Sequence, residues 1–285
     1  MKRRAFLKTA GLATAGLTAA TGLYARLVEP FWLEFVHRDM PVRNLPPALQ
    51  GKTLLQISDI HVGNRFDYGY LIDSFREAQA LDPDFVVYTG DYVSYEDAEQ
   101  HRQLEEVLAH TVTGELGTVG ILGNHDYGKD WSELGVANRI TDQLFAAGIT
   151  VLRNERTTVG GLTFLGIDDY YSPNFAPQFA TDDLDPAAPT VALCHNPDVC
   201  DLDVWNGYRG WILSGHTHGG QCKPPFLPPP LLPVENDRYT AGAFDLYDGR
   251  MLYINRALGH LWPVRFNVRP EITVFRLSGE KRTSQ

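Results

Sequence analysis

The hexapeptide Gly215-His216-Thr217-His218-Gly219-Gly220 places two imidazoles two residues apart in a turn bounded by glycines. Two histidines at this spacing can bind one metal ion. Residues 210–214 predict a short buried strand before the turn, and the glycines allow the backbone to approach whatever the histidines hold. A histidine pair alone is as often hydrogen-bonded in a loop as bound to a metal, so other residues must decide between these readings.

Residue types that bind metals also follow other predicted strands. The predicted strands are 54–58, 85–88, 118–122, 190–194 and 210–214. The polar residues after them are Asp59, His61, Asp91, Asn124, His125, Asp126, His195, His216 and His218. A carboxylate between two cations can bridge them, and mixed imidazole and oxygen ligands suit Mn, Fe or Zn. The set therefore predicts a centre with two divalent transition metal ions.

The elements that must position these residues alternate along the chain. Helices are predicted at 70–81, 96–110 and 131–147, between the strands, which is typical of an α/β layer architecture. Loops at the carboxyl ends of such strands converge on one crevice. Two hairpins, a short helix at 197–205 and a last strand at 272–277 complete the pattern, so residues 48–277 are predicted to form one domain with two sheets.

The segments outside this domain have other roles. Residues 1–25 combine a basic start, containing Arg3 and Arg4, with an uncharged run from Thr9 to Tyr24. This pattern predicts a twin-arginine export signal, with an uncleaved membrane anchor as the alternative. Residues 26–47 are predicted to be a proline-broken lead-in with an edge strand at 31–36, and residues 278–285 a frayed tail.

Composition excludes some function classes. The chain has 285 residues and a formal charge of −10, which disfavours a general binder of nucleic acid or of anionic membrane surfaces. Its three cysteines are predicted to be small buried hydrophobic residues, with a disulfide as the alternative. Of the four histidines outside these contexts, three are predicted to lie on the surface: His37, His101 and His110.

The motifs Asp-x-His, Gly-Asp, Gly-Asn-His-Asp, a lone His after a strand and Gly-His-x-His resemble, in this order, the calcineurin-like metallophosphoesterases. The resemblance implies a four-layer αββα fold, a two-sheet β-sandwich flanked by helices. It also implies phosphoester hydrolysis by a hydroxide that bridges two metals. The first metal would be bound by Asp59, His61 and His218, the second by Asn124, His195 and His216, and both by Asp91. His125 would be catalytic, near the leaving oxygen, and Asp126 would orient His125 or a ligand.

Further sequence resembles a bacterial exported or membrane-associated branch of that family, in which some members act on phospholipids or on UDP-diacylglucosamine. The resemblance covers Gly219-Gly220-Gln221, the proline-rich stretch 224–233 and the end 258–272. It implies a phosphodiester or pyrophosphate substrate that is lipid-linked, and a location in the periplasm or at the outer face of the cytoplasmic membrane. Apolar residues of 224–233 form either a lip for acyl chains or a self-packed loop. Arg256 and His260, like Asn64 and Arg65, face the cleft or the surface.

Three other functions remain open on the sequence. A non-catalytic metal-binding scaffold would have no need of His125. A nuclease is disfavoured by the negative charge and by the lack of a basic stretch interleaved with aromatic residues. A protein phosphatase is disfavoured because Ser94 and Tyr95 stand where that branch usually has an acid and an arginine.

Overall fold

The computed structural model describes residues 3–63, 67–95 and 97–280, apart from the side chains of residues 4–6. The strands of these ranges form two six-stranded sheets. The strands are Glu34–Val42 (β1), Thr53–Ile57 (β2), Phe85–Thr89 (β3), Gly117–Ile121 (β4), Thr150–Val151 (β5), Glu155–Val159 (β6), Leu162–Ile167 (β7), Thr190–Cys194 (β8), Trp211–Ser214 (β9), Gly242–Asp245 (β10), Met251–Ile254 (β11) and Glu271–Gly279 (β12). The α-helices are Arg3–Leu27 (α1), Gly69–Gln79 (α2), Glu99–Leu108 (α3), Leu134–Ala146 (α4) and Gln178–Thr181 (α5).

The first sheet has the strand order β1-β12-β2-β3-β4-β5, and the second has the order β10-β11-β9-β8-β7-β6. Neighbours from β2 to β5 are parallel, as are β7, β8, β9 and β11. The predicted hairpins are present as the antiparallel pairs β6–β7 and β10–β11. Parallel neighbours end at the same sheet edge, so the loops after them are brought together.

The two sheets pack face to face around a shared apolar core. Side chains alternate between the faces of β3: Phe85 and Val87 point into the core between the sheets, whereas Val86 and Tyr88 point outward. Phe164 and Val191 supply the opposing side of the inner core from the second sheet. The interior thus holds both sheets in a fixed relation, which a site built from loops of both sheets requires.

Helices cover the outer faces. Side chains from α2, α3 and α4 pack on the first sheet, and the second sheet is covered by α5, a short 3₁₀ helix at Pro197–Asp201 and neighbouring loops. This arrangement confirms the predicted α/β fold of two sheets flanked by helices. The helix predicted at 197–205 is only the 3₁₀ segment, because extended backbone follows at Leu202. Glu96, at the predicted start of α3, lies outside the described residues.

The chain ends are more structured than the sequence suggests. The lead-in contributes β1, which lies at 34–42 rather than 31–36 and pairs along its full length with β12. β12 continues to Gly279, and residues 281–285 lie outside the description. Residues 3–27 form helix α1. No helix in the described part of the chain has both the length and the apolar character needed to cross a bilayer.

Candidate metal centre

The predicted metal-binding residues converge where strands of both sheets end. Loops after β2 and β3 supply one half of the site, and loops after β8 and β9 supply the other. Six side chains come together there, none more than 7% exposed: Asp59, His61, Asp91, His195, His216 and His218. Polar side chains this buried need partners, and they form two groups.

The first group contains Asp59, His61 and His218. Nε2 of His218 lies 3.0 Å from Nε2 of His61 and 3.2 Å from Oδ1 of Asp59. Nε2 of His61 is 4.0 Å from the same carboxylate oxygen. One oxygen and two imidazole nitrogens therefore face a single point, which is a donor set for a transition metal ion.

The second group contains Asp91, His195 and His216. Nε2 of His195 lies 3.3 Å from Oδ2 of Asp91 and 3.2 Å from Nδ1 of His216. The same Oδ2 of Asp91 is 3.5 Å from Nε2 of His61, in the first group. Asp91 thus lies between the two groups, at the position that a bridging carboxylate would occupy.

Hydrogen bonds to oxygen atoms determine the tautomer of three histidines. Nδ1 of His195 donates to the carbonyl of Thr89 at 2.7 Å, and Nε2 of His216 donates to the carbonyl of Pro233 at 2.8 Å. Nδ1 of His218 donates to Oε1 of Gln221 at 3.0 Å. Because these oxygens only accept, each outer nitrogen carries a proton, and the inner nitrogen presents a lone pair to the site when the ring is neutral.

This geometry fits divalent cations. When His195 and His216 are both neutral, their inner nitrogens face each other at 3.2 Å as two lone pairs, and a cation between them would remove the repulsion. Oδ1 of Asn124, on the same cavity wall, is buried and has no hydrogen-bond partner within the described residues. Amide oxygen, imidazole nitrogen and carboxylate oxygen together are ligands for Mn, Fe or Zn.

The electrostatics of the site favour bound positive charge. Burial opposes ionisation of Asp59, but His218 outweighs it and lowers the pKa of Asp59 to about 2. The pKa of Asp91 is likewise held well below its ordinary value by His195 and His125, against the effect of burial. Burial lowers the pKa of His216 to about 4. Two ionised carboxylates and a neutral imidazole are the protonation states that metal binding needs.

The backbone at the site is strained. Asp59, His61, Asp91, His216 and His218 have φ between 46° and 68°, in the left-handed region. Each such residue costs about 1–3 kcal/mol, and this strain is characteristic of functional sites. A Cβ on Gly215 would lie 2.0 Å from Oγ of Ser58 and 2.1 Å from Oδ2 of Asp59. Glycine at 215 therefore lets the histidine turn pack directly against the Asp59 carboxylate.

His125 lines the cavity beside the two groups. Its Nδ1 donates to the carbonyl of Ser94 at 3.0 Å, and its backbone N–H donates to Oδ1 of Asp91 at 2.9 Å. The Asp126 carboxylate bonds to backbone N–H groups beside the site. It accepts the backbone N–H groups of Asp91 at 2.9 Å and Gly123 at 2.8 Å, so it holds the loop that carries Asp91, one of the predicted metal ligands.

A cavity of about 800 Å³ opens from the site to solvent. Its outer wall is apolar, with Leu231 and Leu232 of the proline-rich stretch beside Leu261 and Trp262. Leu231 is 81% exposed and Phe226 is fully exposed, so this stretch does not pack its apolar side chains on itself. We call residues 224–233 the lip.

Sequence reasoning missed two aromatic residues at the cavity. The ring of Trp131 lies 6.2 Å from that of His125 and 5.1 Å from that of Tyr171, and the Tyr171 ring is 5.9 Å from His216. Trp131 and Tyr171 thus line the cavity beside His125 and His216. Trp131 lies only six residues after His125, so its position in the sequence could have indicated that it lies near the site. Tyr171 is distant in sequence, and only the fold brings it there.

Three residues that the sequence placed at the surface or in the cleft lie elsewhere in the structure. His101 is buried, with Nδ1 bonded to Oε1 of Gln143 at 2.9 Å, so its predicted surface position is wrong. Arg256 bonds to the carboxylates of Glu271 and Glu34, away from the cavity. His260 is buried next to Phe31.

Asn64 and Arg65 lie outside the described residues. Cys194 and Cys200 are buried free thiols, as predicted, whereas Cys222 is a free thiol that is only partly buried.

Comparison with known proteins identifies relatives of the whole chain. The chain is 32% identical over 287 residues to the uncharacterized metallophosphoesterase YkuE of Bacillus subtilis, covering 97% of this chain and 98% of that protein. It is 29% identical to the phosphodiesterase YaeI of Escherichia coli, covering 97% and 99%. It is 26% identical to the UDP-2,3-diacylglucosamine pyrophosphatase LpxG of Chlamydia muridarum, covering 90% and 92%.

The family assignment agrees with the site. The model of the calcineurin-like phosphoesterase family matches residues 52–220, which run from β2 to the histidine turn and contain both donor groups. The chain belongs to the calcineurin-like phosphoesterase family and is a metal-dependent phosphoester hydrolase.

Proposed function

We propose that this enzyme hydrolyses a phosphodiester or pyrophosphate bond in a lipid or a nucleotide-linked lipid. The observation that carries the proposal is a pair of donor groups sharing Asp91 at the base of a cavity whose outer wall is apolar. A charged phosphoryl group suits the base, and acyl chains suit the wall. A phosphodiesterase and a UDP-diacylglucosamine pyrophosphatase among the relatives support this substrate class.

In this proposal each group holds one divalent ion. Asp59, His61 and His218 would hold the first, Asn124, His195 and His216 would hold the second, and Asp91 would serve both. Bound ions would supply an activated hydroxide at neutral pH and would offset charge on the phosphoryl oxygens. The chain itself contributes rigid donors, since carbonyl and amide oxygens fix the rings of His195, His216 and His218.

His125 is the proposed general acid. Because Nδ1 donates to the Ser94 carbonyl, the ring is held with Nε2 as the atom that can serve a substrate in the cavity. A protonated His125 would donate from Nε2 to the departing oxygen. General acid catalysis of this kind contributes about 10²–10⁴ in rate.

The test compares wild type with His125→Ala in manganese, on bis(p-nitrophenyl) phosphate and on p-nitrophenyl phosphate, with metal content measured on both proteins. We expect diester turnover to fall by about 10²–10⁴ in the variant while two metals stay bound. Two bound metals in wild type without turnover of either ester or of a lipid pyrophosphate would favour a non-catalytic scaffold. Loss of metal in the variant would contradict the role given to His125.

We also propose that residues 1–25 direct export by the twin-arginine machinery to the periplasm or the outer face of the cytoplasmic membrane. The support is the Arg3-Arg4 pair at the start of a weakly apolar run. Replacing both arginines by lysine should keep the protein in the cytoplasm, as measured by fractionation of a bacterial host. Unchanged export of that variant would reject the assignment.

A further inference from the structure

One donor of the second group depends on a loop that is otherwise exposed. The Pro233 carbonyl, at the end of the lip, accepts the Nε2 proton of His216 at 2.8 Å. A carbonyl oxygen cannot donate, so this contact requires the proton on Nε2 and leaves the Nδ1 lone pair for the second group. A backbone atom of the lip therefore determines the tautomer and the ring orientation of His216.

Asp198 holds the chain just after Pro233. Its two carboxylate oxygens accept the backbone N–H groups of Glu235 at 2.8 Å and of Asn236 at 3.1 Å. Asp198 is 5% exposed and lies in the 3₁₀ helix at Pro197–Asp201. Its own N–H donates to Oδ1 of Asn196, which caps that helix. These bonds fix the backbone two and three residues beyond the carbonyl that orients His216.

From these contacts we infer that Asp198 is a positioning residue for the second metal ion, acting on His216 through the Pro233 carbonyl. The inference rests on the proposed metal centre. Asp198 is three residues from His195, so one short segment supplies one histidine directly and orients the other through the lip. In the first group His218 is oriented by a side chain instead, because its Nδ1 donates to Oε1 of Gln221.

The same loop borders the substrate cavity. Leu231 and Leu232 line its outer wall, two residues and one residue before Pro233. A ligand that packs against these leucines restricts the backbone that holds His216. We therefore expect such a ligand to raise the metal affinity of the second site and not that of the first. By linkage, a metal ion in the second site should raise the affinity for the ligand by the same factor.

The test measures metal affinity in the full chain without substrate. In Asp198→Asn, one amide NH₂ faces backbone N–H groups that need acceptors, so the loop loses at least one bond. We expect the manganese affinity of the second site to fall by about 10–100-fold, with the first site unchanged. The readout is the number of ions retained after equilibration with graded chelator.

Two further variants keep the test falsifiable. Asp84→Asn is the control, because Asp84 also accepts a backbone N–H, from Thr53 at 2.8 Å, but lies at the start of β3, away from the site. Glu235→Pro removes a donor to Asp198 from the exposed side of the loop, so it tests the contact without altering the core.

Selective weakening of the second ion in Asp198→Asn and Glu235→Pro, but not in Asp84→Asn, is the expected result. Unchanged affinity in Glu235→Pro, or equal weakening of both ions, would overturn the inference. Wild-type protein that binds fewer than two ions would overturn it together with the metal centre. Wild-type protein that binds two ions but hydrolyses no phosphodiester would reject the proposed substrate. The variants would then still decide whether Asp198 supports the second metal site.

Discussion

The base and the rim of one cavity are built in opposite ways. At the base, six donor side chains are at most 7% exposed, and hydrogen bonds to carbonyl and amide oxygens fix three of the four imidazoles. At the rim, Leu231 is 81% exposed and Trp262 is 62% exposed. The base can therefore hold charged groups in one geometry, whereas the rim offers apolar area to whatever enters. We expect the base to determine the reaction and the rim to determine the leaving group.

The largest effect is expected from removing the Asp91 carboxylate, which both donor groups share. In Asp91→Ala, His61 and His195 lose a common oxygen, and the N–H of His125 loses its acceptor. Because the bound ions then lose the one negatively charged ligand that both groups share, we expect loss of at least one bound ion and no measurable turnover on any substrate. Metal content and diester hydrolysis on the folded variant check this. A variant that keeps two ions and wild-type turnover would show that Asp91 does not bridge.

A smaller effect is expected from filling the space between the histidine turn and Asp59. In Gly215→Ala the new methyl would lie 2.0 Å from Oγ of Ser58 and 2.1 Å from Oδ2 of Asp59, so the turn must shift. We expect weaker metal binding at the first group and a loss of about 1–3 kcal/mol in the free energy of unfolding. Denaturant unfolding with and without manganese measures both.

Gly135→Ala is the matched control for that substitution. A Cβ at Gly135 meets nothing within 4 Å, and the residue lies in α4, where alanine is favoured over glycine. We expect unchanged metal binding and equal or higher stability. Equal effects of the two substitutions would mean that the close packing at Gly215 is unimportant to the site.

The base was far more predictable from the sequence than the rim. Asp59 with His61, and His216 with His218, are close in sequence and follow strands with strong apolar patterns, so local reasoning located them. The fold class followed from the same alternation. The site roles of these residues stay predictions, since the geometry shows only that they come together.

Long-range pairing was not predictable from local patterns. β12 inserts between β1 and β2, so the last strand of the chain lies inside the first sheet, and no local signal marks this. The burial of His101 depends on Gln143, which lies on another helix. The contact between Pro233 and His216 joins a loop to a turn that the sequence had treated separately. Such contacts depend on tertiary packing, which neither propensity nor periodicity encodes.

The smallest expected effect comes from the rim and would sharpen the comparison. In the double variant Leu231→Ser and Leu232→Ser, the cavity keeps its base and loses apolar area at its outer wall. Burial of one CH₂ contributes about 0.8 kcal/mol, so losing one or two such contacts should raise KM for an acylated substrate by about 4-fold to 15-fold. Turnover of bis(p-nitrophenyl) phosphate and metal content should stay at wild-type values, because neither depends on the leucine side chains.

The substrate pair for this test is a diacylated sugar pyrophosphate and its deacylated form, assayed at equal metal occupancy. Wild type should prefer the acylated form, and the variant should lose that preference through KM and not through kcat, since the reacting atoms lie at the base. An equal loss for both forms would mean that the lip acts on the metal centre, through Pro233 and His216. A wild-type enzyme with no preference for acyl chains would instead remove the lipid from the proposed substrate and leave a phosphodiesterase whose rim has another partner.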